Sequence, residues 1–88
     1  MTAPTIVREV RPTYTPEAMR AKTQGLVLLD VVVQRDGTPG DIRVVRSLDP
    51  GLDLQAIAAI RAWRFNPGRL KGVAVDVLVT IELNFRIY

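Results

Sequence analysis

The last sixteen residues carry the pattern that most limits what this chain can fold into. From Val73 to Tyr88, branched or aromatic apolar residues occupy every odd-numbered position, and mostly polar residues alternate with them. Successive side chains of a strand point to opposite faces, so a period of two predicts one long strand with a buried face and a mostly open face. The chain must therefore contain a sheet that is covered on one side.

Two further segments predict the partners of this strand. Residues 26–35 are rich in Leu and Val, which is typical of a strand that its neighbours cover heavily. Asp36-Gly37 predicts a hairpin turn, and residues 41–47 predict the returning strand. Because the first of these strands is the most apolar, we expect it at the centre of the sheet and the long C-terminal strand at an edge.

Two helices are predicted from their start signals. Thr15 is a good N-cap with Pro at the first helical position, and it predicts a short helix over residues 16–22. Asp53 is interpreted as the N-cap of a second helix over residues 54–64, in which apolar residues recur at helical spacing and Trp63 lies on the apolar face.

The elements together predict an α+β fold with the order α-β-β-α-β. We expect one three-stranded antiparallel sheet in the order second, first, third strand, with both helices packed on its apolar face. Residues 1–10 contain Pro4 and mixed polar and apolar residues, and they predict an extended lead-in to a domain formed by residues 11–88.

Composition excludes most kinds of catalytic site. A chain of 88 residues forms a single domain, and this one contains no Cys, no His and one serine, Ser47. Disulfides, thiol nucleophiles, Cys/His zinc sites and Ser-His-Asp triads therefore cannot be built. The Asp residues lie beside turns and are interpreted as turn formers and caps. We predict no catalytic residue, no cofactor and no metal.

The basic balance raises the question of nucleic acid. The chain has 12 Lys or Arg against 9 Asp or Glu, a formal net charge of +3. The cations are spread along the sequence among acids, and the predicted open face of the sheet holds three acids and no aromatic residue on which a base could stack. A nucleic-acid binder is therefore the least favoured class, and no nucleic-acid partner is predicted.

The predicted edge strand is the most informative feature for function. A long strand without proline at a sheet edge invites pairing with another strand. An extended peptide could add to it, or a second copy of the chain could do so as a self-assembly module. Leu28, Val32 and Leu78 fall on the open face, where either the lead-in covers them or they form a dimer patch.

A set of short motifs, in this order and at this spacing, resembles a known family, the TonB C-terminal domain. The resemblance covers residues 11–88, and its most specific part is Trp63-Arg64-Phe65 followed by Pro67 after an alanine-rich helix. The other motifs are Pro12-Thr13-Tyr14-Thr15-Pro16-Glu17-Ala18, Gln24-Gly25, Asp36-Gly37, residues 43–47, Gly51-Leu52-Asp53, Ala56 with Ile60, and Asn84-Phe85-Arg86.

The resemblance implies a non-enzymatic energy transducer of the periplasm. In that family an N-terminal helix tethers the protein to the inner membrane and to the ExbB–ExbD motor. The C-terminal domain binds the TonB box of an outer-membrane transporter by strand addition, and pulling drives active uptake. Carried over by position, the implied partner-binding residues are Arg11, Pro12, Thr13, Tyr14, Val75, Asp76, Val77, Leu78, Val79, Thr80, Ile81, Glu82 and Leu83. A strand-mediated homodimer remains the alternative.

Overall fold

The computed structural model describes residues 1–87. Within them the elements follow one another in the order β1 (Thr5–Arg8), α1 (Pro16–Arg20), β2 (Gly25–Val33), β3 (Pro39–Arg46), α2 (Pro50–Arg61), β4 (Arg64–Asn66), β5 (Gly68–Leu70), β6 (Val73–Val75) and β7 (Val77–Phe85).

The three predicted strands form the main sheet, which is antiparallel and has the order β3-β2-β7. The predicted central position of the most apolar strand is therefore confirmed. β2 and β7 pair without interruption over nine residues, from Gly25 opposite Phe85 to Val33 opposite Val77. The pairing of β2 with β3 is less regular, because β3 contains two bulges.

Both helices pack on one face of this sheet, as predicted. The odd-numbered residues of β2 from Val27 to Val33 are fully buried, and they form one apolar cluster with Ala18 of α1 and with Leu52, Ala56 and Ile60 of α2. Trp63, Phe65, Leu83 and Phe85 complete the cluster. The even-numbered residues of β2 lie on the opposite, open face.

The helix boundaries differ in part from the prediction. Thr15 caps α1 as predicted, since its Oγ1 accepts the N–H of Ala18 at 3.1 Å. The predicted cap of the second helix was wrong. α2 begins at Pro50 with Asp49 as N-cap, because proline is preorganised for the first helical position. Asp53 instead lies in the first turn, where its carboxylate accepts the N–H of Leu48 at 3.1 Å.

The predicted element order was incomplete, because the chain forms two additional two-stranded ribbons. The long C-terminal strand is divided at Asp76, whose carboxylate accepts the backbone N–H of Arg35 at 2.8 Å. Before that break, β5 folds onto β6 as a hairpin. The segment after α2 was predicted only to stop the helix, yet it forms β4 and pairs with β1. Tyr88 lies outside the described residues.

The lead-in pairs with β4 and does not cover the open face. Ile6 lies opposite Phe65, and Arg8 lies opposite Arg64. Leu78 on the open face is consequently 63% exposed. Of the two alternatives for the apolar residues on that face, coverage by the lead-in is wrong.

The turn between β2 and β3 depends on Gly37. Its φ is +85°, and its carbonyl accepts the N–H of Phe65 at 2.9 Å, so the turn also supports β4. A Cβ atom at this position would lie 2.2 Å from the Phe65 carbonyl oxygen. Beside it, the hydroxyl and then the backbone N–H of Thr38 donate to the Asp36 carboxylate and lower its pKa.

We predict that Gly37→Ala destabilises the domain more than Gly72→Ala does. Both glycines have a φ near +80°, but an added Cβ at Gly72 would meet nothing within 4 Å. Gly72→Ala should therefore cost only the backbone strain of about 1–2 kcal/mol, whereas Gly37→Ala must also displace β4. Urea unfolding of the two variants measures the difference. Equal losses would show that the close approach of Gly37 to Phe65 carries no energy.

Candidate functional site

β7 forms one edge of the main sheet. Its inner side pairs with β2 along its whole length, and no other strand among residues 1–87 pairs with its outer side. The outer side of such a strand presents backbone N–H and C=O groups without partners in the sheet.

The hydrogen bonding at the end of β2 indicates which residues of β7 point outward. Gln34 donates its backbone N–H to the Thr38 carbonyl at 2.9 Å, toward the β3 side. Backbone groups of successive residues in a strand alternate in direction. The odd-numbered residues of β2 therefore face β7, and the unbroken register makes the odd-numbered residues of β7 face β2. The N–H groups that point outward are those of Leu78, Thr80, Glu82 and Asn84.

The side chains along this edge are incompletely covered. On the core face, Leu83 and Phe85 are buried, but Val77, Val79 and Ile81 are only half-buried. On the open face all four side chains are exposed, and the Thr80 hydroxyl donates to Asp30 Oδ1 at 2.8 Å. An added strand would therefore cover apolar surface as well as backbone groups.

A groove runs between the lead-in and the C-terminal half of β7. Its volume is about 540 Å³. Two segments form its walls, and they bring together two acids and two arginines with apolar and aromatic side chains: Glu9, Val10, Arg11, Pro12 and Tyr14 on one side, and Glu82, Leu83, Asn84, Phe85 and Arg86 on the other.

Three contacts hold residues 9–14 in place; this side of the groove is called the lead-in wall below. The Trp63 indole N–H donates to the Val10 carbonyl at 2.8 Å. The Tyr14 hydroxyl donates to the Thr23 carbonyl at 2.6 Å. The Tyr14 ring also meets Phe85 edge-on, with ring centroids 5.6 Å apart. The wall is thus tied to the core, to the segment between α1 and β2, and to β7 itself.

The structure brings only part of the predicted partner-binding set together. Arg11, Pro12 and Tyr14 line the groove with Glu82 and Leu83. Residues 77–81 continue along the same edge outside the groove, and Thr13 is exposed beside it.

The N-terminal end of the predicted set lies elsewhere. Val75 belongs to β6 and pairs with Gly68. Asp76 is engaged with Arg35 through a hydrogen bond and an ion pair with an N–O distance of 3.6 Å. These two residues lie beyond the start of the free edge of β7.

Five groove residues were missed by the sequence analysis: Glu9, Val10, Asn84, Phe85 and Arg86. The last three continue the C-terminal alternation, so extending the predicted edge to the end of that pattern would have found them. For Glu9 and Val10 the sequence holds no comparable signal, because their position depends on the distant Trp63.

The chemistry of the site is that of a binding surface. Within residues 1–87 no group of three or more His, Cys, Asp or Glu is placed to hold a metal ion. The outer side of β7 presents a row of backbone donors and acceptors beside a groove of mixed charge. These groups suit an extended peptide.

Comparison with known proteins identifies the family. The family model described as the Gram-negative bacterial TonB protein C-terminal matches residues 10–87. The chain belongs to the TonB C-terminal domain family. This family is a non-enzymatic, periplasmic energy-transducer domain.

Individual relatives agree with this assignment. The chain is 35% identical to protein tonB2 of Pseudomonas aeruginosa over 77 residues, which are 86% of this chain and 28% of that protein. It is 36% identical to protein TonB of Xanthomonas campestris pv. campestris over 75 residues, covering 84% of this chain and 34% of that protein. The chain thus spans about a third or less of these relatives.

The fold also matches a solved structure. The solution NMR structure of the Pseudomonas aeruginosa TonB CTD superimposes with a TM-score of 0.79 at 26% identity, over 99% of this chain and 89% of that one. Within residues 1–87, neither helix is long and apolar enough to span a membrane.

We predict that Trp63→Ala removes much of the stability of the domain. Trp63 is 2% exposed, and truncation of a buried tryptophan costs about 3–5 kcal/mol. Trp63→Phe keeps much of the apolar bulk but loses the donor to Val10, so it should cost less and loosen the lead-in wall. Chemical denaturation measures both losses, and amide exchange of residues 8–11 reports whether the lead-in wall stays in place. If Trp63→Phe leaves that exchange unchanged, the indole N–H does not position the lead-in.

Proposed function

We propose that this domain binds an extended segment of an outer-membrane transporter, the TonB box, by adding it as a strand to β7. The observation that carries the proposal is the free outer side of β7, where Leu78, Thr80, Glu82 and Asn84 direct backbone groups away from the sheet. The adjoining groove would receive the end of the peptide next to Glu82 and Leu83. Arg11, Pro12, Thr13 and Tyr14 would form the lead-in side of the contact.

The family assignment supports the identity of this partner. We further propose that residues 1–10 connect the domain to a linker and to an N-terminal helix in the inner membrane. Through that helix the ExbB–ExbD complex would deliver work from the proton gradient. Residues 11–88 would then be the periplasmic domain that grips the transporter, so that pulling remodels it for active uptake.

Strand addition suits a load-bearing contact. Several backbone hydrogen bonds in a ladder lie side by side across the direction of the strands. A force along the strands loads these bonds together, whereas a force across the end of the ladder opens them in turn. A peptide paired along β7 would therefore resist pulling best when the force runs parallel to the strand.

A homodimer through the same edge is the second candidate. The exposed Leu78 beside the free edge favours it, because two copies of β7 could pair and cover that side chain. Solution mass measured over a range of concentrations separates the two. A monomer that binds transporter peptides supports the transducer, and a tight dimer that excludes them supports self-assembly.

We predict that Glu82→Pro weakens peptide binding by more than about tenfold. The substitution removes an outward N–H whose hydrogen bond is worth up to about 1.5 kcal/mol, and the proline ring also lies in the path of the added strand. Glu82→Val is the matched control, because it removes the same carboxylate but keeps the N–H. Proline is tolerated at an edge position whose N–H faces solvent, so the fold should survive. Isothermal titration with box peptides from transporters of the same organism measures the affinities.

Two results would count against strand addition at this edge. One is unchanged affinity in a folded Glu82→Pro variant. The other is an equal loss in Glu82→Val, which would assign the effect to the carboxylate side chain rather than to the backbone.

A further inference from the structure

The fold brings together two segments of the chain that carry positive charges and no negative ones. Residues 1–8 and 61–75 contain five Lys or Arg and no Asp or Glu, whereas the other 65 residues contain seven Lys or Arg and nine Asp or Glu. The pairing of β1 with β4 and the bridge between Thr2 and Arg69 bring these two segments together. Residues 1–8, the last residue of α2, β4, β5 and β6 thus form a basic arm, which we define as residues 1–8 and 61–75 and which the acids Glu9 and Asp76 border.

The cations of the basic arm are exposed and form no ion pair among residues 1–87, although Arg64 lies near enough to Asp36 to help the Thr38 hydrogen bonds lower the pKa of that carboxyl. Neither of the two ion pairs among residues 1–87, Arg20 with Glu17 and Arg35 with Asp76, includes one of them. Arg8 and Arg64 even lie directly opposite each other in the β1–β4 ribbon. The Arg64 guanidinium donates to the carbonyls of Arg61 and Trp63, at 3.1 Å and 2.6 Å, so it stays at the surface of the ribbon. Like charges at opposite positions of a ribbon are unfavourable, and an anion from outside would offset them. All five side chains that carry the charge are exposed: Arg8, Arg61, Arg64, Arg69 and Lys71.

The end of the basic arm is a protruding apolar hairpin. Lys71 and Gly72 form the two-residue turn between β5 and β6, with φ values of 51° and 80°. Leu70 and Val73 face each other across this turn, and they are 50% and 65% exposed. Arg69 and Lys71 flank the pair. Apolar side chains at a tip with cations beside them fit the interface of an anionic membrane, where the former enter the acyl boundary and the latter meet headgroups.

The tip and the groove occupy opposite ends of β7. β6 leads into the first residues of β7, whereas the groove begins at Glu82. The five steps from Val77 to Glu82 span about 17 Å at the usual rise of a strand, and the hairpin turn lies beyond Val77. A membrane surface at the tip therefore leaves the groove open.

We propose that the basic arm docks the domain on an anionic phospholipid surface, with Leu70 and Val73 entering the interface. The exposed apolar pair favours a lipid surface over a soluble polyanion. Docking would hold the domain at a membrane while the free edge of β7 remains available for a peptide. This inference does not depend on the peptide proposal, because the test below contains no peptide.

The test is co-sedimentation of the domain with vesicles of phosphatidylethanolamine and phosphatidylglycerol, compared with vesicles of phosphatidylcholine alone. We expect binding to the anionic vesicles only, and weaker binding as salt is added. Arg69→Gln/Lys71→Asn should weaken it about 25-fold, since each cation near an anionic surface contributes about fivefold. Asn is chosen at position 71 because it tolerates the positive φ there.

The matched control is Arg20→Gln/Arg46→Gln, which removes two exposed cations outside the basic arm and gives the same net charge. It should bind the anionic vesicles nearly as well as the parent. Leu70→Ser/Val73→Ser should weaken binding to the vesicles but not to inorganic polyphosphate.

Three outcomes would overturn the proposal. Absence of binding to anionic vesicles at low salt would rule out docking on phospholipid. Equal losses of vesicle binding in the two charge variants would show that binding depends on the net charge of the domain and not on the basic arm. Unchanged vesicle binding in Leu70→Ser/Val73→Ser, together with tight binding of polyphosphate, would identify a site for soluble polyanions instead.

Discussion

The packing of Trp63 is the interaction on which the rest of the structure depends. Its indole ring fills the core between α2 and the sheet, and its N–H reaches the Val10 carbonyl, 53 residues earlier in the chain. One side chain thus stabilises the core and fixes the lead-in. Without that bond the wall of the groove would be held at its ends, by the pairing of β1 with β4 on one side and by Tyr14, whose ring meets Phe85, on the other. The geometry of the candidate binding edge is therefore coupled to the stability of the domain.

The free edge of β7 is held in place by the pairing of β7 with β2. Its inner side is paired over nine residues with a strand whose core-facing side chains are fully buried, so β7 is held extended without an outer neighbour. Its outer amides are placed by that register and not by any ligand. An extended segment would meet a preformed template, which lowers the entropic cost of association. A contact built on backbone groups also makes modest demands on the sequence of the partner.

The main sheet, its strand order and the side covered by helices could be predicted, because periodicity reports burial directly. The ribbons could not. β4 is three residues long and pairs with β1, more than fifty positions earlier in the chain, so no local pattern marks it. β5 and β6 are neighbours across a two-residue turn, but each has only three residues, and β6 shares the alternation of β7, which predicted one continuous strand. The break at Asp76 depends on its bond to Arg35. The groove and the basic arm were missed for the same reason: both join the lead-in to residues more than fifty positions away, and only the fold makes that junction.

The most direct test of the central claim is amide hydrogen exchange of the domain, measured by NMR with and without a box peptide from an outer-membrane transporter of the same organism. In the free domain, Val79 and Ile81 should be protected by β2, whereas Thr80 and Glu82 should exchange freely. Saturating peptide should slow exchange at Thr80 and Glu82 and leave exchange at Val79 and Ile81 unchanged. Free exchange at Thr80 and Glu82 in the complex, with new protection elsewhere, would contradict strand addition at β7.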